Sequence, residues 1–122
     1  MLENLIGAQI LSVDDNCIEV IKDKKTYRLE IDSDDGDCCG YANFETNLLY
    51  SPNDIRNPVI TNVTREDEES YDGESSTITF YGESKQLATI ESDAGSGSGW
   101  SYGASVSLRC KALDIDETLA SW

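Results

Sequence analysis

The chain reads as an α+β protein, mostly antiparallel β-sheet in a Greek-key-like order with one or two short helices, forming a single domain over residues 1–122. Three observations lead there. Short apolar–polar alternations recur along the chain, bounded by Gly, Asn and Asp clusters, the pattern of half-buried strands. The longest spans 100–111 and reads WSYGASVSLRCK. Helix signals are few: a helical turn ending 41–49, a Ser51-Pro52-Asn53-Asp54 start or turn, and the tail at 113–122;.

Taken in order, residues 9–14, 18–23 and 26–32 are three short strands joined by turns at 14–16 and 24–25, an antiparallel meander;. In the third, Tyr27, Leu29 and Ile31 share one face, while Thr26, Arg28, Glu30 and Asp32 share the other;. Residues 33–37 are a loop. Its acids do not fit a calcium loop, because taking Gly36 as the invariant glycine puts Ile31 at the first ligand position;. Residues 41–49 read as a short strand followed by a helical turn, and 51–54 as a helix start or turn that Asn57-Pro58 ends;. Residues 59–64 form a β-branched strand. The acidic stretch REDEESYDGE at 65–74 reads as a solvated connection;. In the strand at 75–81, Thr77, Thr79 and Tyr81 oppose Ile78 and Phe80. A turn at 82–85 leads to a returning strand at 86–93, and the glycine-rich link 94–99 leads to the long strand. The tail at 113–122 reads as a short helix.

In the long strand, Trp100, Tyr102, Ala104, Val106, Leu108 and Cys110 fall on one face, and Ser101, Gly103, Ser105, Ser107, Arg109 and Lys111 on the other. The second face is a floor of small and hydroxyl side chains ending in arginine, whose planar fork can clamp a phosphate. It suits a small polar ligand; it equally suits the solvated outer face of an ordinary sheet.

Composition narrows the function. The net charge is −15, from 24 acidic and 9 basic residues, and histidine is absent. Duplex nucleic acid and anionic membranes are poor partners for such a surface. A small anion must be drawn in by a few local cations against the overall field. No run of 18 apolar residues and no signal-peptide pattern is visible, so a cytoplasmic protein is expected. The four cysteines, Cys17, Cys38, Cys39 and Cys110, make no zinc pattern, and Cys17 and Cys110 read as packed thiols;. Neither a metal nor a cofactor is expected. No histidine is present to activate a serine, Gly95–Gly99 is neither a nucleophile elbow nor a P-loop, and so the expectation is a protein without catalysis;. Aromatic rings offer another chemistry, because bases stack on them. Phe80 or Tyr81, beside Arg109 in a neighbouring strand, would hold one purine; the alternative places Phe80, Trp100 and Tyr102 in the core.

Five fragments in order carry a resemblance: LIGAQI, GDCCGYANFE, NPVITNV, STITFYGESKQLATIE and GSGSGWSYGASVSL. Together they resemble small phage proteins with a DCC motif, and within that group the anti-Thoeris sponge proteins, the first family described. The resemblance implies a non-enzymatic protein that binds and sequesters cyclic nucleotide immune signals. These are cyclic ADP-ribose isomers such as glyco-cyclic ADP-ribose, and in relatives cyclic oligonucleotides. Thoeris or CBASS effectors then stay silent in the host bacterial cytosol, during phage infection or from a prophage. It also implies a homodimer or a hexamer of three dimers, with ligand at the dimer interface, arginines on phosphate and an aromatic ring on adenine. Carried onto this chain, it assigns ligand binding to Arg109, Arg28, Phe80 and Tyr81, with Arg56 as a weaker candidate; Ser105 and Ser107 join them from the hydroxyl floor of the last strand. Two other readings stand beside it. One is an acidic nucleic-acid mimic that inhibits a defence protein through residues 32–37 and 66–69. The other is a structural phage protein held by its oligomer contacts.

Overall fold

The computed structural model describes residues 2–34, 40–50, 58–70, 73–83, 85–96 and 104–121. Its strands are β1 (Gln9–Val13), β2 (Cys17–Lys22), β3 (Lys25–Asp34), β4 (Gly40–Leu48), β5 (Asn62–Ser70), β6 (Gly73–Tyr81), β7 (Gln86–Ser96), β8 (Ser105–Cys110) and β9 (Ile115–Ser121). All strand pairs are antiparallel. Sheet one has five strands in the order β1-β2-β3-β8-β9, and sheet two has four in the order β4-β7-β6-β5. The second order is a Greek key, with β5, β6 and β7 consecutive neighbours and β4 returned beside β7;. Helix among the described residues is limited to two single 3₁₀ turns, Leu2–Leu5 and Lys111–Leu113. The protein is therefore all-β, not α+β. No described helix is long and apolar enough to cross a membrane.

The strands form where alternation meets β-branched residues. In β2, Ile18 and Val20 face inward; in β3, Leu29 and Ile31 do; in β8, Val106 and Leu108 do. Sheet two answers with Ile78, Phe80, Ala88 and Ile90, and the two inner faces close on one core. Burying such side chains is worth about 1.5–3 kcal/mol each, which gives the sandwich its main cohesion. One polar pair sits within it: the Ser76 and Ser92 hydroxyls meet at 2.8 Å across β6 and β7, so neither is left unsatisfied;. The β2–β3 turn uses Asp23 and Lys24 at φ 52° and 68°, the left-handed pair that a two-residue hairpin needs to match strand twist;.

Several sequence expectations change. The acidic stretch at 65–74 is not a connection: β5 runs to Ser70 and pairs with β6 in continuous register from Asn62↔Tyr81 to Ser70↔Gly73. Its backbone ladder holds it, and no side-chain alternation advertises it. The strand expected at 59–64 begins only at Asn62, while Val59 makes a single bridge with Gln9. β4 continues as a strand to Leu48 where a helical turn was expected. The tail is strand β9 rather than helix, because Ile115, Leu119 and Ala120 bury against the core. A bulge opposite Val106 and Ser107 leaves Leu119 as the extra residue, so two consecutive side chains turn inward;. The loop expected at 33–37 does not begin at 33, because β3 runs to Asp34, and the link expected at 94–99 does not begin at 94, because β7 runs to Ser96. The expected helix start at 51–54, residues 35–37, Cys38, Cys39, Trp100 and Tyr102 lie outside the described residues.

Arg65 explains part of why β5 stays in place. Its Nη1 lies 3.0 Å from Glu117 Oε2 and its Nε 2.8 Å from Asp67 Oδ1. Its Nη2 donates to the Thr118 carbonyl at 2.8 Å, so one guanidinium ties the β5 edge to β9 across the sandwich;.

Gly73, opposite Gly95 at the start of β6, allows a close backbone approach. A Cβ there would stand 2.5 Å from the Ala94 carbonyl oxygen, a distance only a backbone shift can relieve. Gly73→Ala is expected to lower stability by about 1–3 kcal/mol, read as a fall in the urea midpoint at unchanged slope.

Candidate functional site

The outer face of sheet one carries the charges that the alternation of β3 and β8 directs away from the core. Register sets them in rows. Glu30 lies opposite Arg109, Asp32 opposite Ser107 and Asp34 opposite Ser105. Arg28 lies opposite Glu19 on the β2 side, and Asp116 flanks Arg109 on the β9 side. At one end of this face is a groove of about 440 Å³ lined by Thr26, Tyr27, Arg28, Glu30, Asp32, Arg109, Cys110, Lys111 and Ala112.

The pairing of β3 with β8 thus brings Arg28 and Arg109 into one groove, two of the arginines singled out from sequence. Both side chains are exposed. Arg109 Nε lies 3.5 Å from Asp116 Oδ1, with side chains 57 % and 78 % exposed, so the contact is loose and its remaining donors are available;. Arg28 is held above its ordinary range, first by its hydrogen bond to Cys17 and further by nearby charges that include Glu19 and Glu30. It is a permanent cation at any working pH. Cys17 and Cys110 are free and buried, in keeping with packed thiols. No group of three or more metal-ligating side chains forms among the described residues.

Lys111 was not among the sequence candidates and lines the same groove. The signal was present, because Lys111 follows Arg109 in the outward set of the last alternation. Ser105 and Ser107 share this outer face but sit beyond the groove, toward Asp34 and Asp32. Arg56 lies outside the described residues.

Two expectations fail here. Phe80 is 1 % exposed within the core, so it has no ring face to offer a ligand. Tyr81 is half-buried at the end of β6, in the other sheet, and neither aromatic neighbours Arg109. Alternation gave the faces correctly, but it could not say that β6 and β8 belong to different sheets.

Sheet two bears a larger groove of about 600 Å³ on its outer face, lined by side chains that include Asn43, Glu45, Ser75, Thr77, Glu91 and Asp93. Glu45 lies directly opposite Glu91, a like-charge pair, and no cation lines the groove;. An anion is repelled there, so size does not make it the phosphate site. The basic groove is the better candidate despite its smaller volume.

These features define a two-sheet antiparallel β-sandwich domain with a basic groove on one outer face and an acidic groove on the other. The chain belongs to the DUF7448 family, described as a domain of unknown function, whose model matches residues 3–108. No curated protein and no solved structure matches the chain.

Proposed function

We propose that this protein is a non-enzymatic binder that sequesters a cyclic nucleotide signal, with phosphate held on the outer face of sheet one. The observation that carries this is the convergence of Arg28, Arg109 and Lys111 on one groove in a chain of net charge −15. Three of the nine basic residues line the groove against two carboxylates, Glu30 and Asp32, which leaves the lining one positive charge in excess on a strongly acidic chain, a local attraction for a small anion;. The resemblance of the chain's fragments to anti-Thoeris sponges supplies the ligand class, cyclic ADP-ribose isomers or cyclic oligonucleotides. It also supplies the consequence, effectors of Thoeris or CBASS defence left without their signal in the host cytosol. An open groove on one protomer fits a ligand completed by a second, and a homodimer or a trimer of dimers would provide the ring that Tyr81 cannot reach within one chain. Retention requires slow release rather than turnover.

Calorimetric titration with a cyclic ADP-ribose isomer, followed by heating to recover it, tests the reading. Tight binding with the ligand returned intact is expected. Recovery of a hydrolysed product would make the protein an enzyme, and absence of heat with that ligand and with a panel of cyclic oligonucleotides would overturn the reading.

A second reading is favoured by sheet two. Glu66, Glu91 and Glu45 share one row across it, with Glu68 and Asp93 in the next. Strands stand about 4.8 Å apart, so these carboxylates form a regular anionic array. As a nucleic-acid mimic the protein would bind a basic defence protein with strong salt dependence and ignore nucleotides.

A further inference from the structure

The rows on the outer face of sheet one are chemically unequal. The basic end holds Arg28, Arg109 and Lys111, with Glu30 facing Arg109 and Glu19 facing Arg28. One step along β3 and β8, about 7 Å by strand rise, the row changes character. Asp32 faces Ser107, and β9 continues that row with Thr118. No hydrogen bond or ion pair engages the Asp32 carboxylate among the described residues, although it lines the same groove as the arginines.

An unneutralised carboxylate in an anion groove is a penalty for a bare polyphosphate, which brings only acceptors and negative charge. It is an asset for a ligand that carries hydroxyl donors beside its phosphate. A vicinal diol offers two O–H groups, and a carboxylate accepts both while a serine hydroxyl adds a further partner. Glu30 suits this part less well, because it stands directly opposite Arg109 in register and so shares its row with that cation, whereas Asp32 shares its row with a serine.

We propose that Asp32 and Ser107 form a sugar-hydroxyl subsite one row along from the anion subsite of Arg28, Arg109 and Lys111, so that this face takes a phosphorylated ribose rather than a bare polyphosphate. The inference rests on the reading of the groove as a nucleotide site and adds the part of the ligand that is selected. Arg109 holds the phosphate; Asp32 tells ribose from deoxyribose.

The test is calorimetric titration of the full chain and of Asp32→Asn and Ser107→Ala, each against cyclic ADP-ribose, its 2′-deoxy analogues and pyrophosphate. Circular dichroism checks that the variants keep the sheet signature, as expected for exposed Asp32 and half-buried Ser107. Wild type is expected to prefer the ribose probe by about 10- to 100-fold, the scale of hydrogen bonds to a charged group. Asp32→Asn should erase that preference with the deoxy affinity unchanged, and Ser107→Ala should reduce it. If Asp32→Asn keeps the preference, or binds all three probes more tightly, the carboxylate is only a repulsive charge and the subsite is overturned. If wild type binds the ribose and deoxy probes equally, the groove stands and the subsite falls. If wild type binds neither, the nucleotide reading falls with it.

Discussion

Arg109→Ala should weaken binding of a cyclic ADP-ribose isomer by about 2–5 kcal/mol while the fold survives. The two halves of that statement come from different features of the same side chain. Arg109 lies in the groove with Arg28 and Lys111, where its planar fork would offer a phosphate two parallel donors;. Its intramolecular partner is Asp116 at 3.5 Å, an exposed pair of little worth to stability;. Melting should therefore shift by no more than about 4 °C. Arg109→Lys separates charge from geometry: it keeps the cation and loses the bidentate fork, so an intermediate loss is expected. Titration calorimetry on the two variants reads both. Wild-type affinity in Arg109→Ala would remove the groove from consideration, and a collapsed fold would show that the Asp116 contact matters more than its exposure suggests.

What made Arg109 findable was a periodic strand, and the same property marks how far sequence reading reaches in this chain. Strands β2, β3, β6 and β7 were legible because β-branched or aromatic residues alternate with polar ones across a half-buried sheet. Strand β5 was legible only in its first residues, 62–64, because Glu66, Asp67, Glu68 and Glu69 beyond them are polar on both sides and exposed. Its strand state comes from the ladder to β6 and from Arg65 reaching Glu117, both tertiary facts. β9 was missed for a related reason: its bulge puts Leu119 and Ala120 inward together and breaks the two-residue period. At the site, alternation placed Arg28 and Arg109 on outward faces, but only the β3–β8 pairing, which joins segments far apart in the chain, makes them neighbours. Lys111 was visible in the same outward set. Asp32 was visible on the face of Arg28, yet its meaning depends on facing Ser107 rather than a cation.

Phe80→Ala is expected to cost about 3–5 kcal/mol of stability, the range for truncating a buried aromatic. Phe80 is 1 % exposed and is among the largest fully buried side chains. Across from it lies Ala88, so the cavity left behind has little nearby bulk to collapse into it. The urea midpoint should fall steeply, while the affinity of the protein that remains folded should match wild type. Tyr81→Ala should behave in the opposite way. Its ring is half-buried at the β6 end, and its backbone carbonyl, which accepts from Thr61 N at 2.8 Å, survives the change. Stability should move little, and binding should drop by about 1–3 kcal/mol if Tyr81 stacks on a base across an assembled interface. Adjacent positions on one strand thus divide the two roles that aromatic residues offered in the sequence. Loss of binding without loss of stability in Phe80→Ala would mean that the core opens to ligand, and neutrality of Tyr81→Ala in both assays would leave the base without an aromatic partner from β6.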